Sequence, residues 1–255
     1  MSKKIIIGNW KMNPLTGKEA ERLFSGVAKE ISRIKKIDVV ICVPNIFLDK
    51  LTEIRTSKIK LGAQNAFIGE TGAFTGEISG EMLYEARARY VILGHSERRE
   101  MGEGNADINQ KIKASLSAGL RPILCVGENL RDENHGYFNS VKIQLEECLA
   151  GVSKNSTSKI IIAYEPVWAI STTPNRKDAT ADDSREMSIF IRKVLSDKFG
   201  KDSSHIKILY GGSVNEKDAS EFLENGGVDG LLVGKASLSV KKFVEIIKTC
   251  EGLSK

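Results

Sequence analysis

Three side chains in this sequence have the types that proton transfer on a small anion requires: the carboxylate of Glu165, the imidazole of His95 and the ammonium of Lys11. Glu165 directly follows an apolar run that ends Ala163-Tyr164. A carboxylate at the rim of a core is partly desolvated, which raises its pKa and strengthens it as a base. The competing role is an ion pair with a nearby Arg or Lys. His95 lies in Gly94-His95-Ser96-Glu97-Arg98-Arg99, and the chain has only three histidines, of which His135 and His205 sit in polar, loop-like stretches. Ser96-Glu97 reads as the first turn of a helix. A helix N-terminus disfavours the protonated imidazole, leaving a neutral ring that can donate a hydrogen bond to a carbonyl oxygen. Lys11, in Asn9-Trp10-Lys11, is a surface charge on its own; beside a reacting carbonyl it would stabilise a developing oxyanion.

Glycines supply a second kind of chemistry. Tyr210-Gly211-Gly212-Ser213 and Val233-Gly234-Lys235 each follow an apolar run. Glycine lets backbone N–H groups approach an anion closely, so two such turns on one face would suit a phosphate. A single Gly-Gly would be no more than a tight turn.

These residues are distant in sequence, so the fold must gather them. Eight short apolar, β-branched runs recur: Ile5–Ile7, Asp38–Val43, Ile59–Gly62, Tyr90–Leu93, Pro122–Val126, Lys159–Ala163, Ile206–Leu209 and Gly230–Val233. Continuous apolar runs of this length suit strands buried on both faces. Amphipathic stretches alternate with them: Glu19–Ile34, Asp107–Leu116, Val141–Leu149, Met187–Leu195 and Phe243–Ile247. Alternation implies parallel βαβ units. Eight units in 255 residues predict an α/β fold, a single-domain (β/α)8 TIM barrel over 1–255, with no linker composition to mark a second domain. A doubly wound open sheet is the rival; it would carry a Gly-rich dinucleotide turn after an early strand, and Asn9-Trp10-Lys11 is not one. Asn9, Lys11, Asn65, His95, Glu128, Glu165 and Ser213 all follow or close a strand's C-terminal end, and a closed parallel barrel puts those ends on its catalytic face.

Composition narrows the class. The chain is 41% hydrophobic and 28% charged with net charge +5, ordinary for a globular protein. Basic residues are scattered, with no aromatic-studded stripe for nucleic acid; a mild positive balance steers small anions inward. Cys42, Cys125, Cys148 and Cys250 form no CxxC or Cys/His metal pattern, so free thiols in a reducing cytoplasm are expected. No run reaches the ~18 apolar residues of a membrane span, and Met1-Ser2-Lys3-Lys4 followed by only three isoleucines is not a leader. Nothing calls for a metal or organic cofactor. Cys125 reads as a small packing residue, not a nucleophile.

At these residues the chain resembles the triosephosphate isomerase family. The matching stretches run nearly its whole length: Gly8-Asn9-Trp10-Lys11-Met12-Asn13, Gly62-Ala63-Gln64-Asn65, Gly72-Ala73-Phe74-Thr75-Gly76-Glu77, residues 94–99, 163–170, 210–214 and 232–238. The resemblance implies a cofactor-free isomerase that interconverts dihydroxyacetone phosphate and D-glyceraldehyde 3-phosphate through an enediolate, in glycolysis and gluconeogenesis. It implies Glu165 as base, His95 as electrophile and proton relay, Lys11 and Asn9 as substrate-binding groups, and Glu97 as support. It implies Ser171, Ser213, Gly234 and Lys235 as phosphate-binding positions, mostly through N–H groups. It also implies a homodimer through the 72–77 loop, with Thr75 reaching the partner's site.

Two stretches depart from the family pattern. The segment after Ile170, Ser171-Thr172-Thr173-Pro174-Asn175-Arg176-Lys177-Asp178, lacks both glycines of the family's lid and is about three residues longer. It is expected to close with altered geometry or rate, because Pro174 fixes one φ and Ser171 resists positive φ. Closure would keep water from the enediolate phosphate. Lys235 replaces the family's second glycine; its side chain either points away or adds a cation near the phosphate. Two other readings stay open: a different phosphosugar barrel, such as an epimerase or an aldolase with a Schiff-base Lys, and a catalytically dead relative kept as a scaffold.

Overall fold

The computed structural model describes residues 3–170 and 178–254. The strands are β1 (Lys4–Asn9), β2 (Ile37–Cys42), β3 (Ile59–Ala63), β4 (Tyr90–Leu93), β5 (Arg121–Val126), β6 (Ile161–Tyr164), β7 (Lys207–Tyr210) and β8 (Gly230–Val233). Each pairs in parallel with its sequence neighbour, and β1 pairs with β8 from Ile5↔Gly230 to Gly8↔Val233, closing the ring. Closure needs a residue without a side chain: a Cβ at Gly230 would lie 1.8 Å from the Ile5 carbonyl oxygen.

The apolar runs are nearly continuous because both faces of the strands are covered, with Lys60 of β3 the exposed exception. Ile5 and Ile7, Val40 and Cys42, Ile123 and Cys125 fill the lumen with Tyr90, Ile92, Ile161, Ala163, Leu209 and Leu232. The alternate residues, such as Ile6, Val39, Ile41, Leu124 and Ile162, pack outward against the helices. These two periods of two, one inward and one outward, erase the usual apolar–polar alternation. β3 sends no apolar side chain into the lumen; Cys42 Sγ sits 2.5 Å from where a Cβ on Gly62 would be.

The helices are α1 (Gly17–Glu30), α2 (Leu48–Thr52), α3 (Gly80–Glu85), α4 (Ser96–Glu100), α5 (Asn105–Ser117), α6 (Gly136–Cys148), α7 (Ala181–Phe199), α8 (Ala219–Asn225) and α9 (Val240–Leu253). α1 starts where Thr16 caps the Glu19 N–H and stops at Glu30, so the expected extension to Ile34 is corrected: Ile31 is the C-cap. α7 opens with a reciprocal cap, Asp183 N–H to Thr180 Oγ1 at 3.1 Å and Thr180 N–H to Asp183 Oδ2 at 2.8 Å. It fixes the end of the segment that follows β6. No helix among the described residues is long and apolar enough to cross a membrane.

Candidate active site

Parallel closure puts the C-terminal ends of all eight strands on one face. There Asn9, Lys11, His95, Glu165, Ser213, Gly234 and Lys235 line one cavity of about 780 Å³.

Lys11 is set by its backbone. Its φ is 53°, in the left-handed region that costs a non-glycine residue energy. Two side chains hold it there. Asn9 Oδ1 accepts the Lys11 N–H at 2.9 Å, and Gln64 Nε2 donates to the Lys11 carbonyl at 2.9 Å and to the Cys42 carbonyl at 3.1 Å. The ammonium then reaches Glu97 Oε1 at 2.6 Å. Gln64 had only a motif membership to flag it; its role needs β1, β2 and β3 side by side.

His95 is the N-cap of α4, and its Nδ1 accepts the Glu97 N–H at 3.2 Å. A ring nitrogen that accepts carries no proton, so the ring proton sits on Nε2. Arg99 steadies the turn by donating to the Gly94 carbonyl at 2.8 Å and the Cys125 carbonyl at 3.2 Å.

Glu165 is 2% exposed. Its Oε1 lies 3.2 Å from His95 Nε2, and its Oε2 accepts the Ser96 N–H at 3.2 Å. Its own N–H is tied to the Val126 carbonyl at 2.8 Å. Two glycines make room for it. A Cβ on Gly127 would stand 1.8 Å from the Glu165 carbonyl oxygen, and one on Gly211 would stand 2.9 Å from Glu165 Cγ. Burial, and then the neighbouring Glu165 charge, push the Cys125 thiol well above its ordinary range; that suits a packing residue and not a nucleophile.

Ser213 Oγ is buried with no partner among the described residues. Gly234 faces Lys11, with a Cβ there 3.7 Å from Lys11 Cε, and Lys235 is exposed at the start of a short 3-10 turn. Ser171 lies outside the described residues, as does most of the segment expected to close.

Two residues expected on this face do not line the cavity. Asn65 Oδ1 accepts from Lys111 Nζ at 3.0 Å. Glu128, 2% exposed, accepts from Tyr164 Oη at 2.8 Å and Trp168 Nε1 at 2.8 Å. Arg131 stands over it, 3.4 Å from Glu128 Oε1, and pairs with Asp183 at 3.3 Å and Glu186 at 2.5 Å on α7. Burial and then Glu128 raise the Tyr164 phenol well above its usual range. Following a strand placed both residues near the mouth; their side chains turned to buried polar partners.

Thr75 is exposed on the 72–77 loop, away from this chain's own cavity, and Phe74 beside it is 50% exposed with its ring 4.6 Å from Phe67. No group of three or more His, Cys, Asp or Glu among the described residues could hold a metal ion.

A sequence model described as TIM, triosephosphate isomerase, matches residues 4–250. A triosephosphate isomerase of Dehalococcoides mccartyi is 47% identical over 259 residues, spanning 100% of both chains. One from Carboxydothermus hydrogenoformans is 44% identical over 252 residues, 97% of this chain and 99% of the other. The crystal structure of triosephosphate isomerase from Bartonella henselae superposes with a TM-score of 0.86 at 37% identity, over 97% of this chain and 98% of that one.

Proposed function

This chain belongs to the triosephosphate isomerase family, an aldose–ketose isomerase acting between dihydroxyacetone phosphate and D-glyceraldehyde 3-phosphate in glycolysis and gluconeogenesis, and we propose that Glu165, His95, Lys11 and Glu97 carry its chemistry. The observation behind this assignment is the base and the electrophile in contact, Glu165 Oε1 to His95 Nε2 at 3.2 Å, in a cavity that Lys11 also lines.

Glu165 takes a proton from C1 of dihydroxyacetone phosphate. The C–H electrons form the C1=C2 bond, and the C2 carbonyl oxygen takes up the charge. His95 Nε2–H hydrogen-bonds that oxygen, and the Lys11 ammonium opposes its charge. The hydroxyl proton on O1 passes to O2 through the imidazole. Glu165 returns its proton to C2, leaving the aldehyde at C1. Glu97 holds the Lys11 ammonium at 2.6 Å and so sets where it points. Asn9 binds substrate and fixes the Lys11 backbone. The phosphate lies at Ser213, Gly234 and Lys235, joined by Ser171; the unpartnered Ser213 hydroxyl supports this placement.

An aldolase is disfavoured on its chemistry. Schiff-base formation needs a free amine, and Lys11 is ion-paired beyond its strand. A dead scaffold is disfavoured because no catalytic group is missing.

The reading extends to a single barrel domain over 1–255, a cytoplasmic location and a homodimer through the 72–77 loop, with Thr75 reaching the partner's cavity. Met12, Leu15, Ile46, Phe74 and Met101 support the dimer. All are large, exposed and apolar, and they sit on the loops after β1, β2, β3 and β4, one side of the mouth. The four free, buried cysteines fit a reducing compartment.

A coupled assay with glyceraldehyde 3-phosphate tests the assignment, with Glu165→Gln as control. Rapid turnover lost in the variant supports it. Full activity in Glu165→Gln rules out Glu165 as the base.

A further inference from the structure

We propose that the end of the barrel opposite the catalytic mouth carries a second anion site, one that takes a small ligand bearing two or more phosphate groups. The site is a cleft of about 710 Å³ between α1, the segment 51–57 before β3, and the turn before β4. Arg55, Lys60, Arg87 and Arg89 line it, and no carboxylate does.

The cations are poorly neutralised. Arg55 and Arg87 make no side-chain hydrogen bond or ion pair among the described residues. Lys60 has only Asp38, 3.6 Å away and solvent-exposed enough to contribute little. Arg89 is the ordered member. Its guanidinium lies 4.2 Å over the Tyr84 ring, and Nη1 donates to the carbonyls of Tyr84 and Ala88 at 3.0 and 2.8 Å. Its Nε and Nη2 have no such partner, leaving a fixed fork of the shape that binds phosphate oxygens in pairs.

Arg87 adds an independent sign. It sits just past the C-cap of α3 with φ 59°, its N–H on the Tyr84 carbonyl at 3.0 Å. That position favours glycine, yet a long cation occupies it at the rim of the cleft. A strained residue whose side chain satisfies nothing in the fold points to a ligand outside it.

The test is calorimetric titration of the full chain with inorganic tripolyphosphate, with saturating dihydroxyacetone phosphate present to occupy the catalytic mouth. The expected result is one tripolyphosphate per chain, bound more weakly as salt rises. Arg87→Gly and Arg55→Ala should each weaken it at least tenfold, with kcat/KM for the triose phosphates unchanged. Retained turnover shows that the variants are folded, and glycine suits the backbone at 87. No binding by the wild-type chain, or undiminished binding by both variants, overturns the proposal.

Discussion

Glu165 Oε1 and His95 Nε2 are 3.2 Å apart, and the Ser96 N–H holds the other carboxylate oxygen at the same distance. The Glu165 carboxylate is therefore held between the imidazole and the first turn of α4. Both contacts depend on the length of the Glu side chain. Glu165→Asp retracts the carboxylate by one methylene, and a misplacement of ~1 Å costs about 10²-fold in rate. We expect kcat to fall about 10²-fold with KM within a few-fold of wild type. Steady-state kinetics checks this, and an unchanged kcat would contradict the contact's role.

Gln64 holds Lys11 through a hydrogen bond to its carbonyl at 2.9 Å. Gln64→Glu keeps the shape and removes the donor, setting a carboxylate against two carbonyls. The Lys11 backbone should relax from φ 53°, and the ammonium should leave its place. We expect KM for the triose phosphates to rise about tenfold or more, the equivalent of one charge-assisted hydrogen bond. An unaltered KM would show that Lys11 holds its conformation unaided.

Gly127 supports Glu165 from its other side. A Cβ there would meet the Glu165 carbonyl oxygen at 1.8 Å, which neither strand can absorb in place. Gly127→Ala should destabilise the fold by about 3 kcal/mol and lower kcat in whatever fraction stays folded. Urea unfolding and active-site titration separate the two effects. A variant of wild-type stability and rate would mean that the backbone after β5 and β6 can part to admit a methyl group.

Glu103 gives a pH dependence of stability. Burial works against its ionisation, but the Lys111 ammonium, and then Arg98, outweigh burial and hold the carboxyl below its ordinary 4.5. The unfolded chain then binds more protons than the folded one as pH falls past that value. Stability from this group is full above about 4.5 and is lost as pH falls through the folded pKa. Glu103→Gln should flatten that acid limb. It should also cost about 3 kcal/mol at pH 7, because Lys111 is left buried without its counter-charge. Urea midpoints measured from pH 3 to 7 would show an unchanged acid limb in the variant if the pair were irrelevant.

Phe74 is half exposed beside Thr75 on the 72–77 loop. If that loop enters a second chain, Phe74→Asp places a charge in an apolar contact. Sedimentation equilibrium should read two chains per particle for the wild type and one for the variant at micromolar concentration. A wild-type monomer at full activity would remove the dimer from the account.

The ring was legible in sequence because burial on both faces left each strand a largely apolar block. All eight strands lie where such a block was read, with β6 starting at Ile161 and not Lys159, since a 3-10 turn capped by Ser153 occupies residues 154–159. α2, α3 and α8 went unread because five to seven residues are too few to display a 3.6-residue period. In the cavity, the rule that polar residues at strand ends meet on one face located Lys11, His95 and Glu165. That rule does not say where a side chain turns: Asn65 and Glu128 also follow strands, yet Lys111 and Trp168 claim them away from the mouth. Gln64 and Gly127 escaped for a related reason: what they do is defined by a neighbouring strand, and sequence spacing carries no trace of it.

The pairing of Ile5 with Gly230 has a bearing on synthesis. A ribosome releases β1 long before β8 exists, so the unfinished chain has two raw sheet margins and a cavity that lacks the wall at Gly234 and Lys235. Activity cannot build up gradually as the polypeptide lengthens; it arrives when the last strand docks against the first. A chain cut short before residue 230 would be inert and prone to stick to its neighbours, although Glu165 and His95 would both be present.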